Sequence, residues 1–139
     1  MPDSQRILIV SDDAPSKFTR AALEQRGFTI AAAEGIEAAY GELLNSSFDL
    51  VIIDVAQAED GIELLRRLRA TPKLSKTFVL TIADWGTGQP TLALTEGADA
   101  YEPKPVSTER LIAAVERLLR QRVAKPAAAT NVIGGNRNR

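Results

Sequence analysis

The sequence contains neither cysteine nor histidine. The first absence rules out disulfides, thiolate metal centres and a thiol nucleophile. The second removes the side chain most used as a general base and as a zinc ligand. Aromatic residues are scarce, with four phenylalanines, two tyrosines and a single tryptophan, Trp85. An excess of either charge is lacking too. Seventeen basic residues stand against 18 acidic ones, so no global field favours nucleic acid or an anionic membrane as partner. No apolar run approaches membrane-spanning length, and MPDSQR leads into only four apolar residues, too few for a signal peptide. A cytoplasmic location is therefore expected. Chemistry here must rest on carboxylates, lysine and hydroxyls.

What the 139 residues do show is alternation of apolar runs and helical patterns, enough for one domain with its own core. "ILIV" (7–10) reads as a buried strand. "PSKFTRAALEQRG" (15–27) reads as a helix, with Pro15 in its first turn, Gly27 as its cap and Phe18, Ala22 and Leu23 as its stripe. Strands are also expected over 28–33, 48–55, 77–83 and 98–103. Helices are expected over 36–45, 61–71, 90–97 and 107–122, the fourth of the five being weak in helix formers. Short connections between five strand-then-helix units require right-handed crossovers and a parallel sheet covered on both faces. The expected fold is thus an α/β, flavodoxin-like, doubly wound five-stranded sheet in a three-layer sandwich. Residues 124–139, "AKPAAATNVIGGNRNR", lose the periodicity and read as a flexible tail behind a domain spanning 1–123.

The strand "FDLVIIDV" carries an unbroken apolar run and then a carboxylate, Asp54. In such sheets functional groups collect at the carboxyl ends of the strands. Those ends supply Asp12 and Asp13 after the first strand, Asp54 after the third, Thr81 near the end of the fourth and Lys104 after the fifth. Three carboxylates brought together repel one another unless a cation joins them, and hard oxygen ligands suit Mg²⁺. A carboxylate beside Mg²⁺ and a lysine ammonium can attack a phosphoryl group.

"ILIVSDD", "FDLVIID", "DGIELLRRLR" and "GADAYEPKP", in this order, resemble the receiver domain of two-component response regulators over residues 6–122. The resemblance implies strand order 2-1-3-4-5, Asp54 as phosphoacceptor, Asp13 as a direct Mg²⁺ ligand and Asp12 acting mainly through bound water. It also implies that Lys104 contacts the phosphoryl group, that the Ala56 backbone carbonyl binds the metal, and that the Lys104–Pro105 bond is cis. A hydroxyl at Thr81 and the ring of Tyr101 would form the switch. The partners implied are a histidine kinase or phosphotransfer protein and a downstream protein docking on the fourth helix, fifth strand and fifth helix. The chain would act as a stand-alone monomer or weak homodimer, with no output domain after residue 122, and as a phosphoacceptor rather than an enzyme.

Two departures stand out. The loop "DVAQAEDG" lacks the family's usual Met-Pro pair, and Gly61 arrives one residue early. Counting back from Lys104 without gaps places Ile82 in the slot of the switch hydroxyl. Thr81 takes that slot if "DWGTGQP" holds one extra residue, for which Gly86 and Gly88 give room. These departures feed an alternative, a pseudo-receiver that never carries phosphate and works as a protein-interaction module. A flavodoxin-type cofactor binder is disfavoured because "SDDAPSK" puts two negative charges where a phosphate loop belongs. A haloacid-dehalogenase-type phosphatase would need an aspartate where Ala56 stands. Arg66, Arg67 and Arg69 read as the wet face of the third helix, and Trp85 as a partly exposed loop aromatic.

Overall fold

In a computed structural model, which describes residues 4–12, 17–86 and 88–124 and side chains up to Gln121, five strands and five helices alternate. They are β1 (Arg6–Ser11), α1 (Lys17–Gln25), β2 (Thr29–Glu34), α2 (Ile36–Asn45), β3 (Leu50–Asp54), α3 (Ala58–Ala70), β4 (Phe78–Ala83), α4 (Gln89–Glu96), β5 (Ala100–Pro103) and α5 (Thr108–Ala124). All strand pairs are parallel and the sheet order is β2-β1-β3-β4-β5. The doubly wound fold expected from the alternation is the one observed.

The central strand explains the layering. Leu50, Val51, Ile52 and Ile53 are buried, and successive residues point to opposite faces. Val51 and Ile53 join Leu8, Val10 and Val79 beneath α2, α3 and α4, where Leu43, Ile62, Leu65 and Leu68 pack. Leu50 and Ile52 join Ile7, Ile9, Leu80 and Ile82 beneath α1 and α5, where Leu23, Leu111, Val115 and Leu118 pack. Burying one such side chain stabilises by roughly 1.5–3 kcal/mol, so each face holds its helices firmly.

Three local expectations change. The third helix begins at Ala58, with Gln57 in the N-cap position, so Asp60 and Gly61 lie inside it and the connection from β3 is only Val55–Gln57. Phe18 does not join the stripe of α1; it is 84% exposed in the first turn, while Leu23 carries the burial. The fifth helix includes Ala124, placed first in the tail by periodicity; residues 125–139 and Pro15 lie outside the described residues.

A fourth correction, and one with energetic weight, is Arg69, which is a tie rather than a wet-face residue. Its Nε and Nη2 donate to the Gly97 carbonyl at 3.0 and 2.7 Å. Nη1 donates to the carbonyls of Ser75 and Thr77 at 2.9 and 2.7 Å. Nη2 also meets Asp99, whose carboxylate accepts the Val79 N–H at 2.8 Å. One guanidinium thus joins the end of α3, the entry to β4 and the turn from α4 to β5. Gly97 has φ +128°, and a Cβ there would stand 2.6 Å from the Arg69 Cγ. Side chains rarely adopt that φ, and the arginine fills the space. Arg69→Met should therefore cost on the order of 2–3 kcal/mol in urea unfolding, since several partly buried carbonyls lose a charged donor. A loss below about 0.5 kcal/mol, the range of ordinary surface changes, would contradict this role.

Candidate functional site

The carboxyl ends of β1, β3, β4 and β5 open on a cleft of about 540 Å³ beside α1 and α5. Its apolar floor includes Ile9, Ile52, Ile82 and Leu111, and its polar rim Asp54, Asp84 and Lys104. Asp54 follows Ile53 at the end of the sheet, in register with Ser11 of β1. Its carboxylate is therefore half exposed although the strand behind it is buried. Lys104 follows β5 and is held through its backbone N–H to the Ala83 carbonyl and a cis bond to Pro105. Its Nζ lies 2.6 Å from Asp54 Oδ1. Both side chains are more than a third exposed, so the pair adds little to stability. Its value is local, placing a cation against the carboxylate that must approach an anionic donor.

Asp12 is exposed beside this pair, and its Oδ2 accepts the Ala56 N–H at 2.8 Å. Asp12 is thus brought to the Ala56 peptide, two residues past Asp54. Asp13 lies outside the described residues. Among the described residues no group of three carboxylates is close enough to hold a metal alone.

Thr81 is not brought to the cleft. It lies in register between Ile53 and Tyr101, on the face beneath α2, α3 and α4. It is fully buried and its Oγ1 has no hydrogen-bond partner. Ile82 occupies the cleft wall beside Asp54 instead. The gapless count from Lys104 therefore describes the spatial arrangement, because one residue of shift along a strand exchanges the two faces.

Trp85 is the residue that sequence reasoning undervalued. Its indole Nε1 donates to the Val55 carbonyl at 2.9 Å, directly after Asp54. Its ring covers Gly61 so closely that a Cβ would stand 2.3 Å from the indole Cη2. Its edge meets Tyr101, with centroids 6.0 Å apart and planes at 72°. The available signal was a lone tryptophan paired with a glycine inside an otherwise good helix.

A cleft at the strand ends of a doubly wound sheet, holding an aspartate paired with a lysine, defines a receiver-like fold. The family model described as the response regulator receiver domain matches residues 7–116. Response regulator MprA of Mycobacterium sp. (strain KMS) is 36% identical over 118 residues, covering 84% of this chain and 51% of the relative. Transcriptional regulatory protein TrcR of Mycobacterium tuberculosis (strain ATCC 25618 / H37Rv) is 33% identical, covering 84% and 46%. The chain thus spans about half the length of the curated relatives it matches. Among solved structures, a CheY-like receiver domain protein from Methanospirillum hungatei JF-1 superposes with TM-score 0.76 at 25% identity, over 89% of this chain and 100% of the other. A two-component response regulator from Clostridium difficile gives 0.75 at 26%, over 85% and 98%. The chain belongs to the response regulator receiver domain family of two-component signalling.

The averted hydroxyl gives a direct expectation. Thr81→Val removes a buried polar atom without a partner while keeping the shape, so the protein should become about 1 kcal/mol more stable in thermal unfolding. Destabilisation of that size would mean that the hydroxyl is satisfied in solution.

Proposed function

We propose that the chain accepts a phosphoryl group on Asp54 in the presence of Mg²⁺ and passes the change to a protein partner. An Asp54 carboxylate oxygen attacks phosphorus, the bond from phosphorus to the leaving group breaks, and an acyl phosphate forms on Asp54. The Lys104 ammonium, 2.6 Å from the carboxylate, is the observation that carries this reading. It offsets negative charge on both the nucleophile and the transferring oxygens. Asp12, Asp54 and the Ala56 carbonyl form an all-oxygen donor set that suits a hard divalent cation, with Asp13 as the further ligand implied by the family pattern. Mg²⁺ would supply charge neutralisation there, and the residues orient the carboxylate toward it.

The donor would be a histidine kinase or phosphotransfer protein, and the target a protein that reads the surface of α4, β5 and α5. Leu92 and Leu94 are exposed on α4, and only Ala93 of that helix is buried. Little packing anchors it, which makes rearrangement inexpensive. Among the described residues no helix is long and apolar enough to cross a membrane. We place the protein in the cytoplasm, acting as a single receiver unit.

A second reading draws on Ile82. With no hydroxyl facing Asp54 from β4, the response to phosphate lacks its usual acceptor-seeking donor, which favours an interaction module that needs no phosphate. Incubation with acetyl phosphate and Mg²⁺, read by intact mass, separates the two. Wild type should gain one phosphoryl mass only when Mg²⁺ is present, and Asp54→Asn should stay folded and gain none. Equal labelling of both proteins removes Asp54 from the role, whereas an unlabelled wild type leaves the interaction module.

A further inference from the structure

The peptide group between Val55 and Ala56 is gripped at both ends. Its carbonyl accepts the Trp85 indole N–H at 2.9 Å, and its N–H donates to Asp12 Oδ2 at 2.8 Å. A peptide held this way cannot flip without breaking both bonds. Fixing the plane fixes ψ of Val55 and φ of Ala56. The far side of the loop is held as well, since the helix begins at Ala58 and the Gln57 carbonyl accepts the Gly61 N–H at 3.3 Å. Between these anchors the Ala56 carbonyl has little choice of direction. No proline stiffens this loop.

The tryptophan is itself held. Its ring lies on Gly61 in the first turns of α3, within 2.3 Å of where a Cβ would stand, and its edge meets Tyr101. Gly61 is buried, although glycine is among the poorest residues for a helix interior. The glycine thus makes room for the ring whose N–H reaches Val55.

We propose that Trp85 is a positioning residue for the cation site: it locks the Val55–Ala56 peptide, and with it the Ala56 carbonyl, in the orientation that accepts Mg²⁺. This rests on the phosphoacceptor reading above for the identity of the cation, but the lock exists without it. Trp85 touches neither the cation nor the phosphoryl group; it acts through one carbonyl.

Trp85→Phe removes the N–H donor together with the distal ring atoms that lie over Gly61, so its effect is read at Ala56 and not in overall stability. Two measurements on the full chain decide the matter, amide hydrogen exchange at Ala56 without metal and titration with Mg²⁺ followed by backbone amide shifts. Loss of one neutral hydrogen bond should speed Ala56 exchange roughly three- to tenfold and weaken Mg²⁺ binding by a similar factor. A second route avoids the indole itself. Gly61→Ala should destabilise the wild type by displacing the ring, yet be neutral or stabilising in a Trp85→Ala background, where the helix gains a better former. Unchanged Ala56 exchange in Trp85→Phe overturns the lock, and faster exchange with unaltered Mg²⁺ affinity overturns its role at the cation site. If wild type binds no Mg²⁺, the phosphoacceptor reading fails, while Ala56 exchange still decides the lock.

Discussion

A strand buried on both faces has nowhere along its length to hold a charge. That constraint, imposed on β3 by helices above and below, governs the rest of the molecule. Polar chemistry is pushed to the one place where the central strands meet solvent, their carboxyl ends. Asp54 is accessible because Ile53 is not. The same constraint explains why the floor of the cleft is aliphatic. Ile9, Ile52 and Ile82 are the last members of an apolar layer that continues under α5. A carboxylate and an ammonium standing at the rim of such a layer see water on one side and hydrocarbon on the other. Their attraction is spent on geometry rather than on holding the fold.

Connections between elements carry much of the specificity. Arg69 gathers three carbonyls from two separate segments, and its neighbour Arg67 pairs with Glu37 of α2 and Glu63 of its own helix while lying over the Tyr40 ring. These contacts hold the Arg67 guanidinium well above its ordinary value and the Glu37 carboxyl below its own, through hydrogen bonding first and charge second. Arg66 reaches across to Glu96 of α4 in a two-pronged contact, lowering that carboxyl in the same way. Three successive faces of α3 thus address three different neighbours. A helix whose outer side looks merely hydrophilic in sequence is the hub of the layer.

Layering, strand order and the alternation of five strands with five helices followed from hydrophobic periodicity and family likeness, because burial dictates which faces pack. The arrangement was legible where it depended on strand ends: Lys104 reaches Asp54, and Asp12 reaches the peptide just beyond it. It was not legible where it depended on a single step of register. Thr81 and Ile82 differ by one residue and by opposite faces, and an uncertain count in "DWGTGQP" is enough to exchange them. Arg69 misled for another reason. Its charge marks it as solvent-facing, whereas carbonyls without partners at the ends of neighbouring elements draw it in. Composition cannot reveal which carbonyls those are.

The fit between Gly61 and the indole has a consequence for how this sequence can change over generations. Neither residue is free to drift alone. A larger residue at 61 collides with the ring, and loss of the ring leaves a helical glycine that costs about 1 kcal/mol relative to alanine with nothing gained in return. Replacement is therefore expected in a fixed order, the tryptophan shrinking first and the glycine growing afterwards.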